Sequence, residues 1–178
     1  FLRTKTDIKT FMINLFKLLT VILLFSCGKN EELNEEPEKQ VKQDTLVSAF
    51  FGLDNALPSL LCNQPGSLLD GMPVNFRFPL DSSSLSGTDF EVVDSLGNIH
   101  IPMCAVLAPA NENGENRTVL LLGEFGTAVT NPPVEVRVVG DLFTIDTLPG
   151  ESVCSAIINL NGITTTNVIP LANGPSLF

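Results

Sequence analysis

Residues 46–178 read as an all-β sandwich, and three observations carry that reading. Short apolar runs alternate with polar residues at a period of two, the repeat of a strand with one buried face. Clusters of Gly, Pro, Ser, Asn and Asp recur between those runs, and these are the residues that build tight turns. No stretch after Leu46 sustains the 3.6-residue apolar period of an amphipathic helix. About seven to nine short strands with regular turns are the pattern of a sandwich, and the segment is long enough for one hydrophobic core.

The first expected strand places Val74, Phe76, Phe78 and Leu80 on one face, alternating with Asn75, Arg77 and Pro79. Asp89-Phe90-Glu91-Val92 alternates likewise, and Ser95-Leu96-Gly97-Asn98 reads as the turn that follows. Ile99, Ile101 and Met103 alternate with His100 and Pro102. Asn111–Asn116 is a polar loop, with Asn113-Gly114 as its natural turn. Val119–Leu122 is apolar throughout, which predicts a central strand. Val134, Val136 and Val138 alternate with Glu135 and Arg137. Phe143–Asp146, Ala156–Leu160 and Thr166–Ile169 complete the set. Pro58–Pro73 carries no strand pattern and reads as irregular.

The amino-terminal region is of another kind. Leu18–Phe25 is almost wholly apolar, with Lys5, Lys9 and Lys17 before it. That order describes a secretory signal, and the run is too short for the ~20 residues that span a bilayer. The end of the run, Leu24-Phe25-Ser26-Cys27, resembles the lipobox of bacterial lipoproteins. The resemblance implies that the Cys27 thiol receives diacylglycerol, that a peptidase cuts between Ser26 and Cys27, and that the new terminus is acylated. Two or more acyl chains anchor stably where one does not. Residues 1–26 are then a signal peptide, with Met12 as the expected initiator. Residues 27–45 are the lipidated Cys and a flexible acidic linker, since Gly28–Asp44 is highly charged, poor in apolar residues and interrupted by Pro37. Its acids close to Cys27 resemble the surface-export signals of Bacteroidetes-type lipoproteins, although an ordinary solvated linker has the same composition. The expected location is the outer membrane, on its periplasmic or outer side, with the membrane held through Cys27. The closing Gly174-Pro175-Ser176-Leu177-Phe178 reads as the start of something further.

Charge removes several function classes. The 178-residue chain has a formal net charge of -10. From Leu46 onward there is no Lys, and Arg77, Arg117 and Arg137 face thirteen Asp and Glu. A nucleic-acid partner needs a basic patch, and an anionic lipid surface needs one too. The chain has no Trp and no Tyr, which weakens a sugar-stacking site.

A second resemblance covers Phe76-Arg77-Phe78-Pro79-Leu80-Asp81-Ser82-Ser83-Ser84-Leu85, Asp89-Phe90-Glu91-Val92 and Gly97. This stretch is similar to the first half of bacterial Ig-like domains of the S-layer and CopC-like sort. It implies an Ig-like β-sandwich acting as a spacer, an adhesive module or an accessory domain. Copper-binding members use His and Met sites, and with His100 as its only His this chain is expected to bind no metal and no cofactor.

Catalytic constellations are thin. Any His-dependent chemistry must use His100, and Gly150-Glu151-Ser152-Val153-Cys154 lacks the Gly-x-Ser-x-Gly elbow. Asp81, Asp89, Glu91 and Asp94 crowd one hairpin without the spaced Asp-x-Asp loop of a calcium site. Asp81 is expected to cap its own turn. Asp44-Thr45-Leu46, Asp94-Ser95-Leu96 and Asp146-Thr147-Leu148 resemble the short O-glycosylation motif of Bacteroidetes. Once Cys27 is lipidated, Cys62, Cys104 and Cys154 remain, and three pairings are open. Cys62–Cys104 is the expected one: Cys62 lies in an irregular stretch that a staple would fix, and Cys104 ends an expected strand. The expected function is a non-enzymatic, structural, adhesive or ligand-presenting domain with an envelope protein or glycan as partner. The alternative is an accessory domain of a larger envelope hydrolase whose catalytic part lies beyond residue 178.

Overall fold

A computed structural model describes residues 42–107, 115–145 and 157–173, and these form ten strands in two sheets. These residues belong to one compact unit, Glu36–Phe178. The expected signal, Cys27, most of the linker, the Asn113-Gly114 turn and Cys154 lie outside the described residues.

The strands are β1 (Leu46–Phe51), β2 (Leu53–Pro58), β3 (Leu68–Phe76), β4 (Phe90–Asp94), β5 (Ile99–His100), β6 (Cys104–Val106), β7 (Thr118–Gly123), β8 (Pro133–Val138), β9 (Thr164–Thr165) and β10 (Val168–Pro170). The first sheet runs β10-β1-β3-β7-β6, with β2 also on β3, and the second runs β5-β4-β8-β9. All pairs are antiparallel except β1 with β10. β1 and β2 are two halves of one bent arm along β3, since Ala49 faces Val74 and Leu53 faces Gly71. The bend falls at Gly52, whose φ of 111° suits only a residue without Cβ.

Buried side chains from both sheets meet in one shared cluster. Met72, Val74, Val119 and Leu121 enter it from the first sheet, and Phe90, Val92, Val136 and Val138 from the second. Phe76 and Phe90 meet edge to face across it at 6.5 Å, the favoured geometry for aromatic rings. The open edge of β6 is covered by the 3-10 turn Gly87–Asp89. A Cβ on Gly87 would stand 2.8 Å from the Cys104 Cα, so only glycine lets the turn come this close.

Several expected elements move. The strand expected at Val74–Leu80 ends at Phe76 and begins at Leu68, inside the stretch read as irregular. Leu69–Met72 are all buried, so the polar alternation that marks a strand is missing there. β1 and β2 lack a readable strand pattern for a related reason. The arm is broken by Gly52 and by a bulge between Leu53 and Leu57, which interrupts the period of two. The strand expected at Ile99–Met103 is only Ile99–His100. Pro102 cannot donate to a ladder, and after it the chain crosses to the first sheet, where Cys104 begins β6 instead of ending a strand. Phe143 and Thr144 form only isolated bridges, to Asn159 and Leu80. Thr45, read as the last linker residue, is fully buried, so the folded part starts before Leu46. Val119–Leu122 does lie in an inner strand, β7, between β3 and β6.

Candidate functional site

The first sheet has two unlike ends. In the β3–β7 pair Asp70 faces Gly123 at one end and Asn75 faces Thr118 at the other. The second of these is the entry end, where β1 begins with Leu46 opposite Phe76. Backbone bonds close it: Arg77 N donates to Thr45 O at 2.8 Å and Phe76 N to Arg117 O at 2.7 Å. The opposite, distal end is closed by two buried carboxylates.

Asp70 is 5% exposed. Its Oδ1 accepts from Asn55 N at 2.8 Å, and its Oδ2 from Phe125 N at 2.9 Å. Asn55 lies in the bulge of β2, held at φ 48°, and Phe125 lies in the loop after β7. One carboxylate therefore fixes the bulge and the loop together.

Asp94 ends β4 with its side chain fully buried. Its Oδ1 accepts from Leu96 N and Asn98 N, each at 2.9 Å. Its Oδ2 takes Asn98 Nδ2 at 2.9 Å, Asn131 Nδ2 at 3.1 Å and His100 Nε2 at 3.1 Å. Burial pushes the Asp94 carboxyl up, but the donors from Asn98, His100 and Asn131 outweigh it and hold the group well below the usual carboxylate range.

The loop Glu124–Pro132 is strung between these two acids: Phe125 on Asp70 of the first sheet, Asn131 on Asp94 of the second. Its turn is internally bonded, since Thr127 N donates to Asn131 Oδ1 at 3.0 Å and Asn131 N to Thr127 O at 3.3 Å. Ala128 N reaches the exposed Asp54 Oδ2 at 3.3 Å, and Ser95 N donates to Pro132 O at 2.9 Å.

The hairpin tip between β2 and β3 lies at the same end. Buried Ser59 organises it: Ser59 Oγ donates to Gln64 O at 2.9 Å and accepts from Ser67 N at 3.1 Å. Its 3-10 turn, Ser59–Cys62, carries exposed Leu60 and Leu61. Cys62 is disulfide-bonded to Cys104 at a Cα separation of 5.6 Å. The bond sets the tip beside Met103 and the start of β6.

The residues singled out from sequence go to separate places. Asp81 caps the 3-10 turn Ser82–Ser84, with Ser83 Oγ and Ser83 N donating to its Oδ1 at 2.7 and 2.9 Å. The Ser83 hydroxyl first and the Ser83 N–H second hold its pKa below the usual carboxylate value. Asp89 forms a capping box with Ser86, and Glu91 lies 3.6 Å from Arg137. The four acids of the expected cluster therefore serve four local structures. Among the described residues no group of three His, Cys, Asp or Glu is placed to hold a metal ion. His100 is tied to Asp94, and no hydroxyl or thiol nucleophile is bonded to it among the described residues. Asp70 was not legible as a site residue, because one acid in an apolar run resembles an ordinary turn residue. No protein-family model, no curated protein and no solved structure matches this chain.

Proposed function

We propose that the chain is a lipid-anchored protein of the bacterial cell envelope, at the outer membrane, whose Ig-like β-sandwich binds or presents without chemistry of its own. The observation that carries the reading is Leu24-Phe25-Ser26-Cys27 at the end of a short apolar run with basic residues before it. The acidic stretch after it supports a tether, and a two-sheet domain with one shared core supports the sandwich. A non-catalytic role is supported by where the reactive groups are bonded. Asp70 and Asp94 face backbone and amide donors, and His100 faces Asp94.

The test is metabolic labelling with a fatty acid in a bacterial host, comparing the chain with Cys27→Ala. Label on the parent alone, with Cys27 as the mature amino terminus, is the expected result. Equal label on both, or a terminus elsewhere, overturns the anchor. Mass spectrometry of the released amino-terminal peptide reads both outcomes.

A further inference from the structure

We propose that the distal end of the domain is a docking surface for a protein segment carrying basic and apolar side chains. Large apolar residues stand exposed there on four separate pieces of chain. Leu60 and Leu61 are 71% and 40% exposed on the hairpin tip, Leu96 is 72% exposed on the turn after Asp94, and Val129 is 90% exposed on the loop. Ile101 and Met103 are 63% and 52% exposed on the crossover between β5 and β6. Scattered apolar residues are ordinary on a surface, but several gathered at one end mark a contact surface.

The charge at this end says which partner fits. Residues 53–71, 94–104 and 119–134, which build it, contain no Lys and no Arg. Its exposed fixed charges include Asp54, which holds Ala128 beside Val129, and Glu124, which follows Gly123. A Cβ on Gly123 would stand 3.3 Å from the Pro102 Cα, so Glu124 borders the Ile101–Met103 crossover. Lys42, Arg77 and Arg117 lie at the entry end, linked there through Thr45 and Phe76. Arg137 is paired with Glu91 and Glu135 on the second sheet, so the Lys and Arg of the described residues all lie away from the distal end. An apolar centre with an acidic rim and no cation matches a partner with Lys or Arg flanking apolar anchors. A second copy would bring the same acids against it, and an anionic membrane would repel it.

The surface is also held for contact. Asp70, Asp94, Ser59 and the Cys62–Cys104 bond fix its four pieces, which lowers the ordering cost of association. It lies at the opposite end of the first sheet from Leu46, where β1 begins. Binding there does not depend on the anchor proposed above, so the two can fail separately.

The test uses the isotope-labelled full chain carrying Cys27→Ala. The probe is a fluorescent twelve-residue peptide alternating Leu and Lys, with a matched peptide carrying Glu in place of Lys. The expected result is binding of the Lys peptide, with amide shifts at Leu60, Leu61, Ile101, Met103 and Val129 and none at Arg77 or Arg117. The Glu peptide binds at least about tenfold more weakly. Asp54→Asn with Glu124→Gln weakens the Lys peptide by up to about fivefold for each charge, and high salt does the same. Leu60→Ser with Met103→Ser weakens it while leaving the melting temperature in place. Equal binding of the two peptides, an acid variant that binds like the parent, or shifts at the entry end overturns the proposal. So does dimerisation through the patch, or binding of phosphatidylcholine vesicles in place of the peptide.

Discussion

The two ends of the first sheet solve the same closing problem by different means. At the entry end, closure is mainly backbone to backbone, Thr45 with Arg77, Phe76 with Arg117 and Asn116 with Leu80, beside a side-chain bond from Thr118 Oγ1 to Asn75 Oδ1. The backbone bonds depend on strand path alone and tolerate most side chains. At the distal end, Asp70 and Asp94 reach into loops that the ladders do not touch, and a disulfide joins the hairpin tip to β6. The distal end is therefore specified by a few side chains, and it should be the end that mutation, reduction and acid open first. A carboxylate suits this task because one group accepts several N–H donors at once, and bonds to a charged acceptor are the stronger kind.

The largest expected difference comes from the disulfide. Cys62→Ala with Cys104→Ala frees the closure of a loop of 42 residues. The loss of that constraint on the unfolded chain is worth about 4 kcal/mol, and urea unfolding should show it. A loss below about 1 kcal/mol would mean that Ser59 alone holds the tip. Asp70→Ala comes next. It strands the buried Phe125 N–H and the Asn55 N–H, for a loss of about 3 kcal/mol at ~1.5 kcal/mol for each bond to a charged acceptor. Glu115→Ala, an exposed acid at the entry end, should stay within about 0.5 kcal/mol. Equal losses from the two would end the contrast between the ends.

Acid sharpens it further. Asp94 has a folded pKa well below its unfolded value, because the bonds from Asn98, His100 and Asn131 override burial. A depressed carboxyl contributes stability that is fully present above the unfolded pKa of about 3.9. That contribution drains as the pH falls toward the folded value. The melting temperature should hold from pH 7 to about pH 4 on this account and fall below that. Asp94→Asn should start lower at pH 7 and fall less steeply. Asp81 adds a change of the same sign from its Ser83 bonds, so Asp81→Asn is the control that isolates Asp94. An unchanged slope in Asp94→Asn would show that other carboxyls carry the acid response.

How much of this was legible in the sequence follows from how far each feature acts along the chain. The β4 strand, the Ser95–Asn98 turn and β8 were readable, because each is a local pattern of alternation or turn residues. β3 was not, since its buried run Leu69–Met72 lacks a polar face to alternate with. β1 and β2 were hidden by Gly52 and by the bulge that Asp70 holds. Asp81 was legible as a cap, because its partner Ser83 is two residues away. Asp70 was illegible because its partners are 15 and 55 residues away. Asp94 was seen as a member of an acidic cluster, while its tie to Asn131, 37 residues on, needed the fold. The expected Cys62–Cys104 pair forms, although its local surroundings differ from those expected. The tip is ordered by Ser59, and Cys104 starts a strand.

The smallest expected effect is the most pointed contrast between side chains that hold the distal end and side chains it displays. Leu60 and Val129 are among its most exposed apolar residues, so the folded domain gains little by burying them. Leu60→Ser or Val129→Ser should change unfolding stability by no more than about 0.5 kcal/mol. Leu46, by contrast, is 4% exposed at the entry end, and Leu46→Ala should lose about 2–5 kcal/mol. Retention on a hydrophobic-interaction column should reverse this order. The surface variants should elute earlier than the parent, because they remove apolar area that water already meets. A folded Leu46→Ala should elute with the parent, because its change lies in the core. If Leu60→Ser destabilised the domain by more than about 1 kcal/mol, that side chain would be part of the core, and the distal end would hold itself together with the residues it was thought to display.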